Sequence, residues 1–253
     1  MQKFHYPRVV GHRGGGKLAP ENTLQAIDLA ASMGVQMIEF DAKLSADDVV
    51  FLLHDDKVDR TSNGRGLAKT MSYADVSALD AGAWFDSAFA TAKMPTLQQV
   101  ADKCEQLGLL ANIEIKPCEG RDVETGKLVA EEAVRLWGRP GLQHLPPPLI
   151  SSFSYDALAQ AQIHAPSLPR GMLYDDIPSD WHAQAKALES VSLHADYQYF
   201  TQTLVAEIKA AGLMVLAYTV NDPADAERLL GWGVDMICTD RIDVIHEPQI
   251  AQT

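Results

Sequence analysis

The sequence predicts an α/β fold in which eight parallel strands and their helices close into a barrel. Apolar, β-branched runs alternate with helical patterns along the 253 residues, and each pair takes about 20 to 30 residues, as in a right-handed βα array. Several helical patterns end at a glycine, a common helix terminator. Polar clusters end apolar runs that lie far apart in the sequence. A closed sheet gathers such clusters more readily than the alternative, a doubly wound open sheet.

We therefore predict a (β/α)8 TIM barrel with a small insertion after the second strand, in one domain spanning residues 1–253. The predicted strands are 8–12, 35–41, 109–115, 149–153, 170–174, 190–194, 213–220 and 235–239. The predicted helices are 21–33, 96–107, 123–137, 155–164, 179–188, 201–211 and 222–231. In such barrels the functional site lies at the carboxyl ends of the strands, where the polar clusters fall.

A hairpin interrupts the alternation after the second predicted strand. The run that ends at Leu44 meets the turn-like residues 45–48 and then an apolar run that begins at Val49, which leaves too little chain for a crossover helix. Pairing Leu44 with Val49 in antiparallel register would set His54 opposite Glu39. The hairpin is therefore expected to carry a histidine to the carboxylates of the preceding strand.

Residues 57–95 are longer than an ordinary connection between a strand and a helix. They contain Asn63-Gly64, two further glycines and four aromatic residues. We predict that this segment is a small insertion over the barrel mouth. A structural cap and a segment that shapes the substrate site are equally compatible with the sequence.

Charge and hydropathy exclude several classes of protein. Asp and Glu number 34 against 21 Lys and Arg, and the net charge of −13 repels polyanions, so nucleic acid is not an expected partner. Residues 1–7 are too polar for a signal peptide, and no apolar stretch approaches the roughly 18 residues of a membrane span. We expect a soluble cytoplasmic protein without stable membrane association, and the oligomeric state stays open.

Three carboxylates predict a metal site. Glu39 and Asp41 are two residues apart in a predicted strand, so both point to one face, and Glu114 ends another strand. Two unit charges about 4 Å apart repel by on the order of 4 kcal/mol at an effective dielectric of about 20. A divalent cation would offset this repulsion, and oxygen ligands suit Mg²⁺ or Ca²⁺, between which the sequence does not discriminate. A simple ion pair between Glu114 and Lys116 is the alternative.

His12 and His54 are the candidate acid and base, and Arg13 and Lys116 are the candidate phosphate ligands. Cleavage of a phosphodiester removes a proton from the nucleophile and delivers one to the leaving alkoxide, and imidazole titrates in the range that allows both. Guanidinium and ammonium groups bind the non-bridging phosphoryl oxygens and offset the charge that develops there. The pattern therefore indicates metal-assisted hydrolysis of a phosphodiester.

Nine short motifs occur in order along nearly the whole chain. They are His12-Arg13-Gly14, Pro20-Glu21-Asn22-Thr23, Glu39-Phe40-Asp41, His54-Asp55, Asp59-Arg60-Thr61, Glu114-Ile115-Lys116, Ser152-Phe153, Thr219-Val220-Asn221 and Thr239-Asp240. Together they resemble the glycerophosphodiester phosphodiesterases. The resemblance implies a barrel of the phospholipase-C-like class, with a divalent metal held by Glu39, Asp41 and Glu114. It also implies acid–base catalysis by the two histidines and phosphate contacts from the arginine and the lysine.

The reaction implied by the resemblance converts a deacylated phospholipid, such as glycerophosphocholine or glycerophosphoethanolamine, to glycerol 3-phosphate and an alcohol. The glycerol 2-hydroxyl would be the first nucleophile, and water would open the resulting cyclic phosphate. We assign His12 as the base of the first step and His54 as the acid, although either order is chemically possible.

Further substrate contacts are expected from Glu21, Ser152 and Tyr218. Tyr218 stands where the family often shows tryptophan, and its aromatic face suits a contact with the glycerol carbons. Glu21 is a candidate contact for glycerol or for the metal shell. Asn22 and Thr23 stand at a predicted helix start, so both are expected to cap that helix.

Two other functions fit parts of the sequence. One is a related barrel phosphodiesterase or lipase that acts on an intact lipid, but the sequence shows no basic amphipathic helix, and a net charge of −13 disfavours anionic bilayers. The other is a non-catalytic barrel that binds a metal or a glycerophosphate as a sensor. The presence of both histidines and all three carboxylates argues against this second alternative.

Overall fold

Eight parallel strands form a closed barrel in the computed structural model, which describes residues 5–247. The eight barrel strands and one extra strand, β3, are β1 (Val9–Gly11), β2 (Met37–Leu44), β3 (Val50–Leu52), β4 (Leu110–Ile115), β5 (Leu149–Ser152), β6 (Arg170–Tyr174), β7 (Ser192–Asp196), β8 (Met214–Tyr218) and β9 (Met236–Thr239). The barrel closes because β1 pairs in parallel with both β2 and β9. Among the nine strands of residues 5–247, β3 alone pairs antiparallel, with β2. The barrel predicted from the sequence is confirmed.

Helices connect successive barrel strands and begin and end at residues suited to those positions. They are α1 (Leu24–Ser32), α2 (Tyr73–Ala78), α3 (Leu97–Leu107), α4 (Asp122–Trp137), α5 (Tyr155–His164), α6 (Trp181–Ala187), α7 (Gln202–Ala210) and α8 (Pro223–Trp232). Thr96 and Gln99 form a capping box at the start of α3, and Gly108 ends it with a φ of 68°. Within residues 5–247, no helix has the length and apolar character needed to cross a membrane.

The lining of the barrel changes from apolar to polar along the strands. Its apolar part is one buried cluster formed by Val10, Met37, Leu149, Leu216, Met236 and Cys238. Successive side chains of a strand point to opposite faces, so the alternation that points Met37 inward also points Glu39 and Asp41 inward. These two residues lie nearer the carboxyl end of β2. The polar end of the barrel is therefore the candidate functional site.

The hairpin formed by β2 and β3 has a different register from the one expected. Leu44 pairs with Val50 rather than Val49, because the connecting loop takes five residues and Asp48 adopts a φ of 62° within it. The strand β3 then ends at Leu52, so the expected pairing of His54 with Glu39 is wrong. Beyond β3, one further hydrogen bond joins the hairpin, from Leu53 N to the carbonyl oxygen of Asp41 (3.1 Å). The next residue, His54, lies outside the sheet.

Residues 57–95 contain a short helix and a small hydrophobic core of their own. The helix α2 begins after Ser72, whose side chain accepts a hydrogen bond from Asp75 N, and its six residues are too few to give a clear sequence pattern. The core is a buried cluster of Phe51, Leu53, Val58, Ala68, Val76, Ala81, Met94 and Cys118. Since Phe51 and Leu53 belong to the hairpin, this core fixes the segment to the chain that carries His54.

The helices α4 and α5 approach closely at Gly126. A Cβ atom on Gly126 would lie 2.4 Å from the carbonyl oxygen of Ala157 on the facing helix. Gly231 in α8 is the opposite case, since a Cβ there would meet no atom within 4 Å. Alanine substitution at Gly126 therefore tests helix packing, whereas the same substitution at Gly231 tests helix propensity alone.

Replacing Gly126 with alanine is expected to lower the free energy of unfolding by about 1–3 kcal/mol, because the added methyl group overpacks the contact between the two helices. The control substitution Gly231→Ala should raise that free energy by up to about 1 kcal/mol, because alanine favours a helix over glycine. Urea unfolding followed by circular dichroism measures both changes. A gain of stability in both variants would contradict the close approach at Gly126.

Candidate active site

Three carboxylates converge at the carboxyl ends of β2 and β4. Asp41 is the register partner of Glu114, and Glu39 lies two residues before Asp41 on the same face. Each offers an oxygen, and the three oxygens lie within 4.8 Å of one another. The residues are 5%, 1% and 7% exposed for Glu39, Asp41 and Glu114. The structure thus brings together the three carboxylates singled out from the sequence.

The electrostatics of this group favour a bound cation. Burial and the charges of Asp41 and Glu114 raise the pKa of Glu39 well above its usual range. Burial and the charge of Asp41 also raise the pKa of Glu114 to about 7, although Lys116 opposes this shift. Glu39 Oε1 is buried and has no hydrogen-bond partner among the described residues. An uncompensated carboxylate oxygen beside two further carboxylates suits a hard divalent cation such as Mg²⁺ or Ca²⁺.

Asn22 holds Asp41 in place. Its side-chain amide donates to Asp41 Oδ2 at 2.7 Å, and its Oδ1 accepts from the backbone N–H of Asp41 at 3.1 Å. Asn22 adopts a φ of 58°, which asparagine tolerates better than most residues. The expectation that Asn22 caps a helix is therefore wrong, whereas Thr23 does cap α1 by accepting from Ala26 N. Burial alone would raise the pKa of Asp41, but the charges of Arg13 and other nearby cations, together with the hydrogen bond from the Asn22 amide, keep it low.

His12 follows β1 and is oriented by an aspartate from the opposite end of the sequence. Its Nδ1 lies 2.7 Å from Asp240 Oδ1, and its Nε2 lies 4.0 Å from Glu39 Oε2. Asn221 donates to the other oxygen of Asp240 at 3.0 Å. Burial raises the pKa of Asp240, but the hydrogen bond to His12 and the further contacts lower it to about 2. A carboxylate at Nδ1 leaves Nε2 as the free nitrogen on the side of the carboxylate group.

His54 is held in the same way by its neighbour in the chain. Its Nδ1 lies 2.7 Å from Asp55 Oδ1. Burial lowers the pKa of His54, and the nearby cations Arg13 and Lys116 lower it further, while Asp41 and Asp55 oppose the shift. Both candidate acid–base residues therefore engage a carboxylate through Nδ1 and keep Nε2 available.

Arg13 and Lys116 place two cations beside the carboxylates. The backbone N–H of Arg13 donates to Glu39 Oε2 at 3.0 Å, and its Nε lies 3.5 Å from Asp41 Oδ2. Lys116 Nζ donates to Glu114 Oε1 at 2.7 Å. The ion pair considered as an alternative role for Glu114 is thus present, and Glu114 belongs to the carboxylate group as well.

These side chains line one cavity of about 650 Å³ at the barrel mouth. Its lining includes His12, Arg13, Glu39, His54, Glu114, Lys116, Ser152, Phe153 and Tyr218. The lining combines positive and negative groups with the aromatic surface of Phe153 and Tyr218, whose ring centroids lie 6.0 Å apart. The cavity can therefore accept a small molecule with one anionic and one less polar part.

The three expected substrate contacts differ in what their side chains do. Ser152 donates its hydroxyl to the carbonyl oxygen of Ile115 at 2.7 Å, and Tyr218 donates to the carbonyl oxygen of Tyr174 at 2.6 Å. Glu21 accepts from Arg13 Nη1 at 2.8 Å. The serine hydroxyl thus joins two strand ends, the tyrosine presents its ring to the cavity, and the glutamate orients a cation.

Sequence reasoning assigned no role to Asp55, Asp240 or Arg60. All three belong to the family motifs, and Asp55 also adjoins His54, so membership of these motifs was the signal that could have found them. Asp55 and Asp240 orient the two histidines. Arg60 forms ion pairs with Glu21 and Asp55.

Residues 12–244 match the glycerophosphoryl diester phosphodiesterase family. A glycerophosphodiester phosphodiesterase of Caldanaerobacter subterraneus is 35% identical over 233 residues, which cover 92% of this chain and 93% of the relative. A solved structure of an Oleispira antarctica phosphodiesterase, in complex with the product sn-glycerol-3-phosphate, is 37% identical with a TM-score of 0.87. The match covers 92% of this chain and 93% of that chain. A glycerophosphodiester phosphodiesterase structure from Agrobacterium tumefaciens is 29% identical with a TM-score of 0.77 and coverage of 94% and 98%. The chain therefore belongs to the glycerophosphodiester phosphodiesterase family of phosphoric diester hydrolases.

Proposed function

We propose that this protein uses a divalent cation to hydrolyse glycerophosphodiesters, such as glycerophosphocholine and glycerophosphoethanolamine, to glycerol 3-phosphate and an alcohol. The observation that carries the proposal is the set of three buried carboxylates, two of which, Glu39 and Glu114, line one cavity together with two histidines and two cations. The product complex of the Oleispira antarctica relative supports a glycerol 3-phosphate moiety as the shared part of the substrate. We also propose a cytoplasmic location and no stable membrane association. The net charge of −13 supports the second of these, because it disfavours binding to anionic bilayers.

The proposed chemistry assigns one task to each group in the cavity. A divalent cation held by Glu39, Asp41 and Glu114 would withdraw charge from the phosphoryl group. Arg13 and Lys116 bind the non-bridging oxygens and offset their charge. Burial of these groups strengthens each interaction, because water screens them less.

Proton transfer is assigned to the free Nε2 atoms of the two histidines. His12 takes the proton of the glycerol 2-hydroxyl, whose oxygen attacks phosphorus. His54 gives a proton to the oxygen of the departing alcohol as its bond to phosphorus breaks. The product of this step is a cyclic phosphate, which water opens to glycerol 3-phosphate. Asp240 and Asp55 keep each ring oriented throughout.

The remaining assignments concern the three expected substrate contacts and the insertion. The ring of Tyr218 lies against the glycerol carbons, beside Phe153. Glu21 and Ser152 act on the substrate through the groups that they hold, Arg13 and the end of β4. We further infer a single domain in which residues 57–95 are an insertion at the barrel mouth, since their Arg60 bonds to Glu21 and Asp55.

A coupled assay tests the function directly. Purified protein is mixed with glycerophosphocholine and either Mg²⁺ or Ca²⁺, and release of glycerol 3-phosphate is followed with a glycerol 3-phosphate dehydrogenase. We expect product with at least one ion and none after chelation. A series of glycerophosphodiesters that gives no product with either ion would instead identify a binding barrel.

Chelation of the metal is expected to make stability depend on pH. The pKa values of Glu39 and Glu114 are higher in the folded protein than the ordinary value of 4.5, so the folded state binds more protons. These two groups therefore contribute most to the free energy of unfolding below about pH 4.5, and their contribution is lost as the pH rises through about 7. Thermal unfolding in chelator at pH 5 and pH 8, with and without added Mg²⁺, measures this contribution.

The variant Glu39→Gln should raise the Tm of the chelated protein at pH 8 by about 3 °C or more, because it removes the buried charge. The same variant should lose most of the increase in Tm that Mg²⁺ gives to the wild type. The exposed residue Glu227 provides the matched control, and Glu227→Gln should change neither value. Equal behaviour of the two variants would disprove the repulsion among the carboxylates.

Replacement of each histidine separates the acid from the base. His12→Ala and His54→Ala should each lower kcat by about 10²–10⁴-fold on glycerophosphocholine. With a p-nitrophenyl ester of glycerophosphate, whose leaving group needs no proton, only His54→Ala should regain the first step, measured as release of p-nitrophenolate. The exposed residue His182 serves as control, and His182→Ala should keep full activity. Equal rescue of the two active-site variants would refute the assignment.

A further inference from the structure

Arg60 lies between two carboxylates that orient different parts of the active site. Its Nη1 and Nη2 donate to Glu21 at 2.7 and 2.9 Å, and its Nε and Nη2 donate to Asp55 at 2.8 and 2.9 Å. Glu21 in turn accepts from Arg13, and Asp55 binds Nδ1 of His54. We call Glu21, Arg60 and Asp55 the clasp, because they join the phosphate ligand to the acid–base residue in one continuous chain of charge-assisted hydrogen bonds.

We propose that Arg60 is a positioning residue that sets the orientation of His54 and Arg13 together, through the two carboxylates of the clasp. This inference rests on the proposed function, which gives His54 a proton-transfer role and Arg13 a phosphate-binding role. Arg60 itself contacts neither histidine nor any of the three metal-binding carboxylates among its described hydrogen bonds. Its effect therefore passes through Glu21 and Asp55.

The shared oxygens make the two orientations interdependent. Asp55 Oδ1 accepts hydrogen bonds from both His54 Nδ1 and Arg60 Nη2. Glu21 Oε1 likewise accepts from both Arg13 Nη1 and Arg60 Nη2. Removing the guanidinium would leave Glu21 and Asp55 without the charge between them, free to turn away or repel. The hydrogen bonds from Arg60 also lower the pKa of Asp55, which keeps it ionised.

A planar guanidinium is the group that this geometry requires. Four hydrogen bonds leave Arg60 in two directions, and each carboxylate receives two of them, as in the fork geometry of arginine–carboxylate pairs. A lysine ammonium is a compact point charge that cannot reach both oxygens of two carboxylates in one plane. Arg60→Lys is therefore not a conservative change here.

The insertion delivers Arg60 from a well-fixed backbone. Val58 and Thr61 on either side are buried, and the backbone N–H of Val58 donates to the carbonyl oxygen of Gly66 at 3.0 Å. The side chain of Arg60 is nevertheless 44% exposed, so it contributes little to the core. Substitution of Arg60 is thus compatible with folding, and residues 57–95 contribute a positioning residue to the active site.

Arg65 is a matched control from the same segment. Its side chain is 85% exposed and has one described ion pair, at 3.4 Å, with Asp59. Arg65→Gln removes the same charge from the same insertion without touching the clasp. Any change common to Arg60→Gln and Arg65→Gln therefore reflects net charge rather than position.

Kinetics provide the first half of the test. Arg60→Gln should lower kcat/KM by about 100-fold, the loss typical of reacting groups displaced by about 1 Å, and Arg60→Lys should recover little of it. Arg65→Gln should match the wild type. Millimolar guanidinium chloride should restore part of the activity of Arg60→Ala but not of His54→Ala, because the ion can occupy the exposed gap between Glu21 and Asp55.

A spectroscopic readout provides the second half and needs no turnover. The proton on Nδ1 of His54, 2.7 Å from Asp55, should give a downfield ¹H NMR signal, identified by its loss in His54→Ala. The signal should persist in Arg65→Gln and shift or broaden in Arg60→Gln. An unchanged signal in Arg60→Gln, or activity equal to that of Arg65→Gln, would overturn the inference. Should the wild type hydrolyse no diester, the proposed function fails and the signal alone decides on Arg60.

Discussion

Mutual repulsion among Glu39, Asp41 and Glu114 is the constraint around which the site is built. The parallel register of β2 and β4 forces these side chains together, and the barrel removes them from water. Asn22 and the nearby cations answer this repulsion only in part, since the pKa of Glu39 remains high and one of its oxygens has no partner among residues 5–247. Such a cost persists in a fold when a ligand offsets it, and a hard cation does so most directly.

Closure of the barrel brings His12 to the aspartate that orients it. The pairing of Gly11 with Thr239 joins the first and last barrel strands, and the residues that follow each strand, His12 and Asp240, meet as a result. The other histidine depends on a local arrangement, because Asp55 is its neighbour in the chain. The two imidazoles thus obtain the same Nδ1–carboxylate contact, by long-range topology in one case and by local geometry in the other.

The sequence predicts the barrel and the carboxylate group well because both follow from simple periodicities. Alternation along a strand is enough to place Glu39 and Asp41 on one face. The register of the hairpin was wrong by one residue, since a left-handed Asp48 inside a five-residue loop leaves no distinct pattern. The role of Asn22 was missed for the same kind of reason, because it depends on a φ of 58°. The contact between Asp240 and His12 requires the closed sheet, which no local pattern encodes.

Anchoring both imidazoles through Nδ1 has a consequence for the whole catalytic cycle. Each ring exchanges protons at one nitrogen only, so in the proposed scheme the cyclisation step leaves His12 charged and His54 neutral. These are the states that the second step needs, in which His54 activates water and His12 returns a proton to the glycerol oxygen. Both histidines would therefore return to their original protonation states at the end of each turnover, without proton exchange with bulk solvent.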